Sequence, residues 1–218
     1  MNILVTGSSN GIGKAITQKF LDNGHTVIGI DVDDTPFMHP NYFHINRDIR
    51  DVMIEDLEEF QPIDILINNA GVQNSGDDID INLKGTINIT EKFGINSNIK
   101  SIIFMASASA STGAEFPEYA ASKGGMVTYM KNVALRIAKF GATSNSISAG
   151  GVTTDLNSHI MHDTNLWNAV LDETLLNKWA SPEEIADFTY FIAIKNKSMT
   201  GQDLLIDNGE ALKSNFIW

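Results

Sequence analysis

Short apolar runs rich in β-branched residues alternate along this chain with longer segments of helical period. Strands buried on both faces read as continuous apolar runs, and parallel strands are usually joined by helical crossovers. The pattern therefore predicts an α/β fold: one Rossmann-like domain over residues 1–218, with a doubly wound parallel sheet of about seven strands and helices on both faces. The expected strands are 2–6, 26–31, 42–46, 63–68, 99–106, 143–149 and 202–206. The expected helices are 13–23, 52–60, 79–93, 119–140 and 182–194, the last opening at Ser181 with a capping box to Glu184.

Composition narrows the classes of function. Lys and Arg number 15 against 27 Asp and Glu, so the net charge is -12. Such a surface repels phosphate backbones and anionic lipid headgroups, which predicts neither a nucleic-acid nor a membrane partner. The chain has no cysteine, which excludes disulfides, cysteine zinc sites and thiol nucleophiles. The N-terminal sequence does not read as a signal peptide and no segment has the roughly 20 apolar residues of a membrane span, so we expect a cytoplasmic protein.

A glycine-rich turn links the first strand to the first helix. Its spacing is G-x-x-x-G-x-G, which allows a tight turn, close approach of a pyrophosphate and close helix packing. The alternative is an ordinary strand-to-helix turn. The residues of this loop expected at a cofactor are Gly7, Ser9, Asn10, Gly11, Ile12 and Gly13.

The next strand ends in Asp31, about 20 residues beyond the glycine turn, where an acidic side chain can bind both ribose hydroxyls. A carboxylate there repels a 2′-phosphate, and neither the glycine loop nor Val32 supplies the Arg or Lys that NADP needs. The sequence therefore predicts NAD as the cofactor, with NADP disfavoured. The alternative is a solvated aspartate at a strand end.

Two further loops follow predicted strands. The first, which includes Ile49, could accept the adenine amine through Asp48. The second, Asn69-Ala70-Gly71, offers a small-residue floor for a nucleoside. Taken alone, both sets read as ordinary loop residues.

A tyrosine and a lysine stand four residues apart on one predicted helix. Tyr119 and Lys123 at i and i+4 share a face, so the ammonium can stabilise the phenolate and lower the tyrosine pKa from about 10. A general acid-base of this kind could deliver a proton to a carbonyl while a hydride arrives from a nicotinamide. The alternative is a solvated helix face.

In this order, TGSSNGIG, VIGID, NNAG, a serine-rich post-strand loop and YAASK resemble the short-chain dehydrogenase/reductase family, including its 3-oxoacyl-carrier-protein reductase-like members. The resemblance covers nearly the whole chain. It implies that Tyr119 is the acid-base and that Lys123 binds the nicotinamide ribose while depressing the tyrosine pKa. It implies that Ser107 polarises the carbonyl, with Ser109 as a possible substitute, and that Asn82 positions a water in the proton relay.

The same resemblance implies that Val152 and Thr154 close over the carboxamide and that residues around 155–178 form a substrate lid. Its apolar residues, which suggest an apolar cavity, are Ile160, Met161, Leu166, Trp167, Val170 and Leu171. A homodimer or homotetramer is also expected from the family. Three departures from the family pattern are Ala149 in place of proline and the short connections 31–48 and 71–82.

A histidine pair and an acidic run resemble metal-binding clusters, but neither has the full ligand pattern of a metal site. His159 and His162 have i, i+3 spacing but no third ligand in an obvious position. The acidic run 77–80 lacks the glycine and terminal glutamate of a calcium loop, so we expect a solvated stretch that caps the following helix.

The predicted function is an NAD-dependent oxidoreductase that moves a hydride between the nicotinamide and a small secondary alcohol or ketone. One alternative is a 3-oxoacyl-carrier-protein reductase-like enzyme, for which NADP and a basic docking patch are expected. A second is a non-catalytic NAD-sensing protein, and a third is a sugar-nucleotide epimerase, for whose substrate domain the C-terminal region leaves no room.

Overall fold

The computed structural model describes residues 1–114 and 116–213. The strands are β1 (Asn2–Thr6), β2 (Thr26–Asp31), β3 (Tyr42–Asn46), β4 (Ile65–Asn68), β5 (Ser101–Ser107), β6 (Thr143–Ala149) and β7 (Asp203–Ile206). They form one parallel sheet in the order β3-β2-β1-β4-β5-β6-β7. The predicted fold class is confirmed, and β1, β2, β3 and β6 have the predicted bounds because their β-branched runs begin and end sharply.

Helices connect the strands. They are α1 (Gly11–Asp22), α2 (Thr86–Ile89), α3 (Ser109–Thr112), α4 (Pro117–Ile137), α5 (Ser158–Met161), α6 (Thr164–Asp172) and α7 (Pro182–Tyr190). Wider π-type turns flank α2 at Ile79–Gly85 and Thr90–Gly94, giving one helix over 79–94. A third π-type turn continues α7 through Phe191–Lys195, and the helix predicted over 52–60 is a 3-10 helix at Ile54–Phe60.

The two faces of the sheet bury separate cores. Successive residues of β1 alternate between them, so Ile3 and Val5 pack on one side and Leu4 on the other. Helices α1 and α7 cover the first face, while the 79–94 helix and α4 cover the second. The predicted capping box at α7 is present: the Ser181 hydroxyl accepts from Glu184 N at 3.2 Å, and Ser181 N donates to the Glu184 carboxylate at 2.9 Å.

The chain order reverses at β1, whose neighbours are β2 on one side and β4 on the other. Crossovers leave this point in opposite directions, which opens a crevice beyond the carboxyl ends of the strands. The loops after β1, β4, β5 and β6 meet there. The connection from β2 to β3 has no helix over 32–41, as its short length predicted.

The expectation of a solvated capping stretch at 77–80 is wrong for Asp78. This side chain is only 1% exposed and accepts hydrogen bonds from the backbone N–H groups of Asn74 and Ser75 at 2.9 and 2.8 Å. Burial opposes its ionisation, but these bonds outweigh burial and hold the pKa of Asp78 below its usual value. Asp78 therefore fixes the turn before the 79–94 helix instead of capping the helix.

Candidate active site

Two adjoining cavities occupy the crevice. The first, of about 480 Å³, extends from the glycine turn past the ends of β2 and β3. The second, of about 770 Å³, lies beyond the ends of β5 and β6 and beneath the 155–178 segment. Both are lined by Ile12, Asn69, Gly71, Val72, Thr154 and Leu156, so they form one continuous cleft.

The glycine turn is packed too closely to admit side chains. Gly7 and Gly11 have φ values of +67° and +51°, which favour glycine. A Cβ on Gly7 would lie 2.8 Å from the Cα of Ala70, and one on Gly13 would lie 1.9 Å from the carbonyl oxygen of Gly7. The three glycines therefore allow the turn after β1, the start of α1 and the loop after β4 to lie in contact.

The N-terminus of α1 lies at the first cavity, which Asn10, Gly11 and Ile12 line. Its first turn contains no acidic residue, and the Asn10 side chain makes no capping bond to the helix. The first N–H groups of a helix lack intrahelical partners and carry the positive end of its dipole. This glycine cradle fits a pyrophosphate, which binds in such positions.

Asp31 is half-buried at the end of β2 and lines the first cavity. Its carboxylate accepts from the backbone N–H groups of Ser9 at 2.8 Å and of Asp33 at 3.1 Å. Ser9, predicted at the cofactor, is buried and is not among the residues lining this cavity. The structure therefore places Ser9 behind Asp31, where it orients the carboxylate.

Asp48 and Ile49 lie at the far end of the first cavity. Both oxygens of Asp48 accept from the Arg50 guanidinium at 2.7 to 3.1 Å, and this pairing holds the pKa of Asp48 below its usual range. Two arginines that no sequence motif singled out also lie here. Arg50 binds Asp48, and Arg47 lines the cavity beside Asp31, to whose carbonyl its backbone N–H donates at 2.9 Å.

The loop after β4 braces the glycine turn. The Asn69 side chain donates to the carbonyl oxygens of Thr6 and Gly7 at 3.1 and 3.0 Å, and the N–H groups of Asn69 and Ala70 both donate to the Thr6 hydroxyl at 3.0 Å. Asn69, Ala70 and Gly71 also line the first cavity. The loop therefore fixes the glycine turn, and its predicted role as a floor for a nucleoside stays a prediction.

Tyr119 and Lys123 lie on the first turns of α4 and both line the second cavity. The Lys123 ammonium is 5.6 Å from the centre of the Tyr119 ring and donates to the carbonyl oxygen of Met105 at 2.9 Å. Lys123 is 5% exposed, so its charge is held close to the phenol in a poorly hydrated position. Tyr119 is half-buried beside the open cavity.

Ser107 and Ser109 both line the second cavity and are both buried. The Ser109 hydroxyl donates to the Ser107 oxygen at 2.9 Å, and the Ser109 N–H approaches the same oxygen at 3.2 Å. A serine has one O–H donor, so Ser109 uses its proton on Ser107. This arrangement favours Ser107 as the serine that polarises a substrate oxygen and Ser109 as the group that positions it.

Asn82 is fully buried in the π-type turn Ile79–Gly85. Its amide oxygen accepts from Val72 N at 2.8 Å, while its amide nitrogen donates to Val72 O at 2.8 Å and to the Ser122 hydroxyl at 3.1 Å. Ser122 in turn donates to the carbonyl oxygen of Tyr119 at 2.7 Å. The side chain of Asn82 therefore ties the loop after Gly71 to the first turn of α4.

The segment after β6 reaches over both cavities. Ala149, where the family usually has proline, is the last residue of β6, and its carbonyl accepts from Ala108 N at 2.9 Å. Val152 pairs with Ala180 as an isolated parallel bridge and lines the second cavity. A Cβ on Gly11 would lie 3.3 Å from the methyl carbon of Thr154, so Thr154 stands against the N-terminus of α1.

The 155–178 segment covers the second cavity with α5 and α6, but the predicted apolar lining is only partly present. Ile160 and Val170 line the cavity, whereas Leu166 is 41% exposed and lies outside the lining. Polar residues take part instead, including His159 and Glu173. The other predicted lid residues outside the lining are Met161, Trp167 and Leu171.

His159 lies within the short helix α5 and His162 directly follows it, and of the two only His159 lines the second cavity. Within residues 1–114 and 116–213, no group of three or more His, Asp or Glu side chains is arranged to hold a metal ion.

Comparison with known proteins identifies the family. A family model described as enoyl-(acyl-carrier-protein) reductase matches residues 44–210. A 3-oxoacyl-(acyl-carrier-protein) reductase of Buchnera aphidicola is 30% identical over 235 aligned residues, which cover 94% of this chain and 95% of that protein. The chain belongs to the short-chain dehydrogenase/reductase family. An L-fucose dehydrogenase of Mus musculus is 29% identical, with 96% of this chain and 88% of that protein covered.

Solved structures agree with this family. A 4-hydroxyisoleucine dehydrogenase complexed with NADH has a TM-score of 0.88 at 25% identity, covering 98% of this chain and 99% of that one. A short-chain dehydrogenase family protein of Francisella tularensis has a TM-score of 0.84 at 28% identity, with coverages of 97% and 99%. As a member of the family, this protein is an oxidoreductase that acts on CH–OH groups of small molecules with a nicotinamide cofactor. Among the described residues, no helix combines the length and apolarity that a bilayer crossing requires.

Proposed function

We propose that this protein is an NAD-dependent oxidoreductase that interconverts a small secondary alcohol and its ketone, with Tyr119 as the acid-base. The observation that carries the proposal is the placement of Tyr119, Lys123 and Ser107 around the second cavity, which continues into a glycine cradle ending at Asp31. Action in the cytoplasm and assembly as a homodimer or homotetramer remain predictions from composition and from the family.

The glycine cradle would hold the pyrophosphate at the N-terminus of α1, with Asp31 and Asp48 at the adenosine side. Val152 and Thr154 would bind the carboxamide end. When bound, the cofactor would serve as the hydride acceptor in its oxidised form and as the hydride donor in its reduced form. The chain's own residues orient the cofactor and substrate and move the proton.

In the direction of oxidation, the substrate hydroxyl donates its proton to the Tyr119 phenolate oxygen while its carbon loses the hydride. In reduction, the Tyr119 phenol returns that proton to the new alkoxide oxygen. Ser107 donates a hydrogen bond to the same substrate oxygen, and Ser109 holds Ser107 in place. Lys123, fixed by the Met105 carbonyl, stabilises the phenolate.

NAD is favoured over NADP by the carboxylate of Asp31, which two backbone N–H groups hold at the edge of the first cavity. A 2′-phosphate placed beside it would meet a fixed negative charge. The NADH complex of the 4-hydroxyisoleucine dehydrogenase shows that a protein of this fold binds that cofactor.

A second candidate is reduction of a 3-oxoacyl group carried on acyl carrier protein. The Buchnera aphidicola relative of that name, which is 30% identical to this chain, favours this substrate. Three observations weigh against it: the net charge of -12, the carboxylate of Asp31 in the lining of the first cavity, and the carboxylate of Glu173 in the lining of the second. We therefore prefer a small alcohol or ketone as the substrate.

The test is Tyr119→Phe, assayed by NADH formation across a panel of secondary alcohols and by calorimetric NAD binding. We expect a loss of turnover of about 10²–10⁴-fold, because the proton acceptor is removed, and NAD affinity within a few-fold of wild type. Tyr129→Phe is the matched control: it alters the same helix outside both cavities, where the hydroxyl donates to Glu91.

Equal losses of turnover and NAD binding in Tyr119→Phe would contradict the assigned role. Tight NAD binding by the wild-type protein with no turnover across the panel would instead favour the non-catalytic NAD-sensing alternative.

A further inference from the structure

Two adjacent glycines follow β6, and a different side chain packs against each of them. A Cβ on Gly150 would lie 3.1 Å from the Oε2 atom of Glu210, and a Cβ on Gly151 would lie 2.2 Å from the indole ring of Trp179. All four residues line the second cavity. The two glycines therefore allow a carboxylate and an aromatic ring to pack on neighbouring backbone at one wall of the substrate cavity.

The ring of Trp179 is held at this wall by the chain on both sides of it. The N–H of Ala180 donates to the carbonyl oxygen of Gly151 at 3.1 Å, and the N–H of Thr153 donates to the carbonyl oxygen of Ala180 at 2.9 Å. The ring of Trp167 contacts Trp179 edge-on, with the ring centroids 5.2 Å apart. Tryptophan attracts cations to the face of its ring more strongly than the other aromatic side chains do.

Glu210 is positioned by the turn that follows β7. Asp207 is buried, and its carboxylate accepts from the N–H groups of Gly209 at 2.9 Å and of Ala211 at 2.8 Å. A Cβ on Gly150 would also lie 2.9 Å from the Cα of Asp207, so this turn packs closely on the segment after β6. The half-buried Glu210 side chain is thereby carried to the cavity wall.

A second carboxylate reaches the same cavity from the lid. Glu173 directly follows α6 and lines the second cavity. The N–H of Leu176 donates to the carbonyl oxygen of Asn208 at 3.1 Å, which joins this segment to the turn that carries Glu210. Within residues 1–114 and 116–213, Glu173 takes part in no ion pair. Its charge is therefore available to a ligand.

The charged groups of the second cavity favour a cation. Glu173 and Glu210 line it, and Lys123 is the one lysine or arginine of its lining within the described part of the chain. The Lys123 ammonium is buried 5.6 Å from the centre of the Tyr119 ring, so its charge acts on the phenol. The imidazole of His159 also lines the cavity. A cationic substituent would be attracted by both carboxylates, whereas an anionic one would be repelled by them.

These groups lie a short distance from the catalytic serine. Ser107 of β5 is paired with Ala149 of β6, and Gly150 is the next residue. Neighbouring strands are about 4.8 Å apart, which places the Glu210 carboxylate roughly 5–10 Å from Ser107. With covalent bonds of about 1.5 Å, this distance fits an ammonium separated from the carbinol carbon by about one to three carbons.

We propose that Glu210, Glu173 and Trp179, here called the ammonium site, bind a cationic nitrogen of the substrate, so that the protein acts on short amino alcohols and the matching amino ketones. The proposal rests on the proposed function, because it assumes that Tyr119 and Ser107 bind the carbinol oxygen in the second cavity. The carbinol carbon gives its hydride to NAD and the hydroxyl gives its proton to Tyr119, while the ammonium group is unchanged.

The test compares substrates of matched shape. The cationic probe is β-methylcholine, a secondary alcohol with a trimethylammonium group, and its neutral isostere has a tert-butyl group in that place. The anionic probe is β-hydroxybutyrate, and erythritol is the neutral polyol. The rate of NADH formation gives kcat/KM for each probe. Calorimetry, with and without NAD, measures the binding of β-methylcholine.

The wild-type protein should use β-methylcholine about 10–10²-fold more efficiently than the isostere, because a desolvated ion pair and a cation–π contact are both gained. Glu210→Gln should lower this ratio about tenfold, and Trp179→Leu should lower it several-fold. Glu173→Gln should lower it about threefold, since the Glu173 side chain is exposed. Glu183→Gln, an exposed position of α7 outside both cavities, is the matched control and should keep the wild-type ratio. Thermal unfolding checks that each variant folds.

Three results would overturn the proposal: equal use of β-methylcholine and the isostere by the wild-type protein, a higher kcat/KM for erythritol or β-hydroxybutyrate, or an equal loss for both matched substrates in Glu210→Gln. Failure of the proposed function gives a different result. No probe would then be oxidised, yet β-methylcholine would still bind the wild-type protein, and bind Glu210→Gln about tenfold more weakly.

Discussion

Replacing Gly13 by alanine tests the close packing of the glycine turn. Gly13 is buried, and a Cβ there would lie 1.9 Å from the carbonyl oxygen of Gly7 and 2.4 Å from the side-chain nitrogen of Asn69. Non-bonded heavy atoms rest at about 3.5 Å or more, so the turn or the helix must move by more than about 1 Å. Asn69 would then lose its two bonds to the turn.

The Gly13→Ala substitution should lower the free energy of unfolding. Overpacking in a well-packed core costs about 1–3 kcal/mol, and we place Gly13→Ala at the upper end because one close neighbour is the backbone of a constrained turn. Alanine returns about 1 kcal/mol of helix propensity. The net loss is therefore about 2 kcal/mol, which for a domain of this size lowers Tm by about 4–8 °C. NAD affinity should fall at least about tenfold, because the N-terminus of α1 is displaced from the pyrophosphate position.

Urea denaturation followed by circular dichroism measures the stability, and calorimetry measures NAD binding. Gly124→Ala in α4 is the control, because a Cβ there meets only the carbonyl oxygen of Ala110 at 3.5 Å, an ordinary contact. The free energy of unfolding of Gly124→Ala should rise by up to about 1 kcal/mol. The reasoning would be refuted if Gly13→Ala kept the wild-type free energy of unfolding within about 0.5 kcal/mol and bound NAD with wild-type affinity.

Two further predictions concern polar groups. Ser107→Ala should lower kcat by about 10²–10³-fold, because it removes the donor to the substrate oxygen, whereas Ser109→Ala should lower kcat only a few-fold. Steady-state assays on the best alcohol of the panel measure both losses. A larger loss in Ser109→Ala than in Ser107→Ala would mean that the two serines have the opposite roles. Asp78→Asn should destabilise the protein at neutral pH. Because the folded pKa of Asp78 lies below the unfolded value of about 3.9, the wild-type advantage should persist above that pH and disappear as the pH falls through the folded pKa. Urea midpoints of both proteins across acidic pH test this, and a difference independent of pH would contradict it.

Local patterns accounted for most of the elements. The strand bounds followed from runs such as Thr26–Asp31, because a β-branched run ends where polar or turn residues begin. The glycine turn was predictable since Gly7 and Gly11 adopt positive φ, a requirement that only glycine meets without strain. Tyr119 and Lys123 were predictable as neighbours because helix geometry brings i and i+4 together.

Other features could not be predicted because they depend on how the chain folds back on itself and packs, which the periodicity of apolar and polar residues does not specify. The acidic run containing Asp78 looked solvated, yet the preceding turn folds over it and supplies its hydrogen bonds. The lid sequence looked apolar, but its helices leave Leu166 at the surface and place His159 and Glu173 at the cavity. The periodicity of a short exposed helix does not specify which face meets the rest of the protein.

The sequence by itself determined the fold class, the element order and the chemical types gathered at the carboxyl edge of the sheet, because these follow from local periodicity and from the steric demands of single residues. Only the tertiary structure decided how that edge is arranged. The pairing of β2 with β3 brings Arg47 beside Asp31, and hydrogen bonds from Asn10 and His44 hold Asp33 there. Such contacts join segments with no common pattern, so their geometry exists only once the chain has packed.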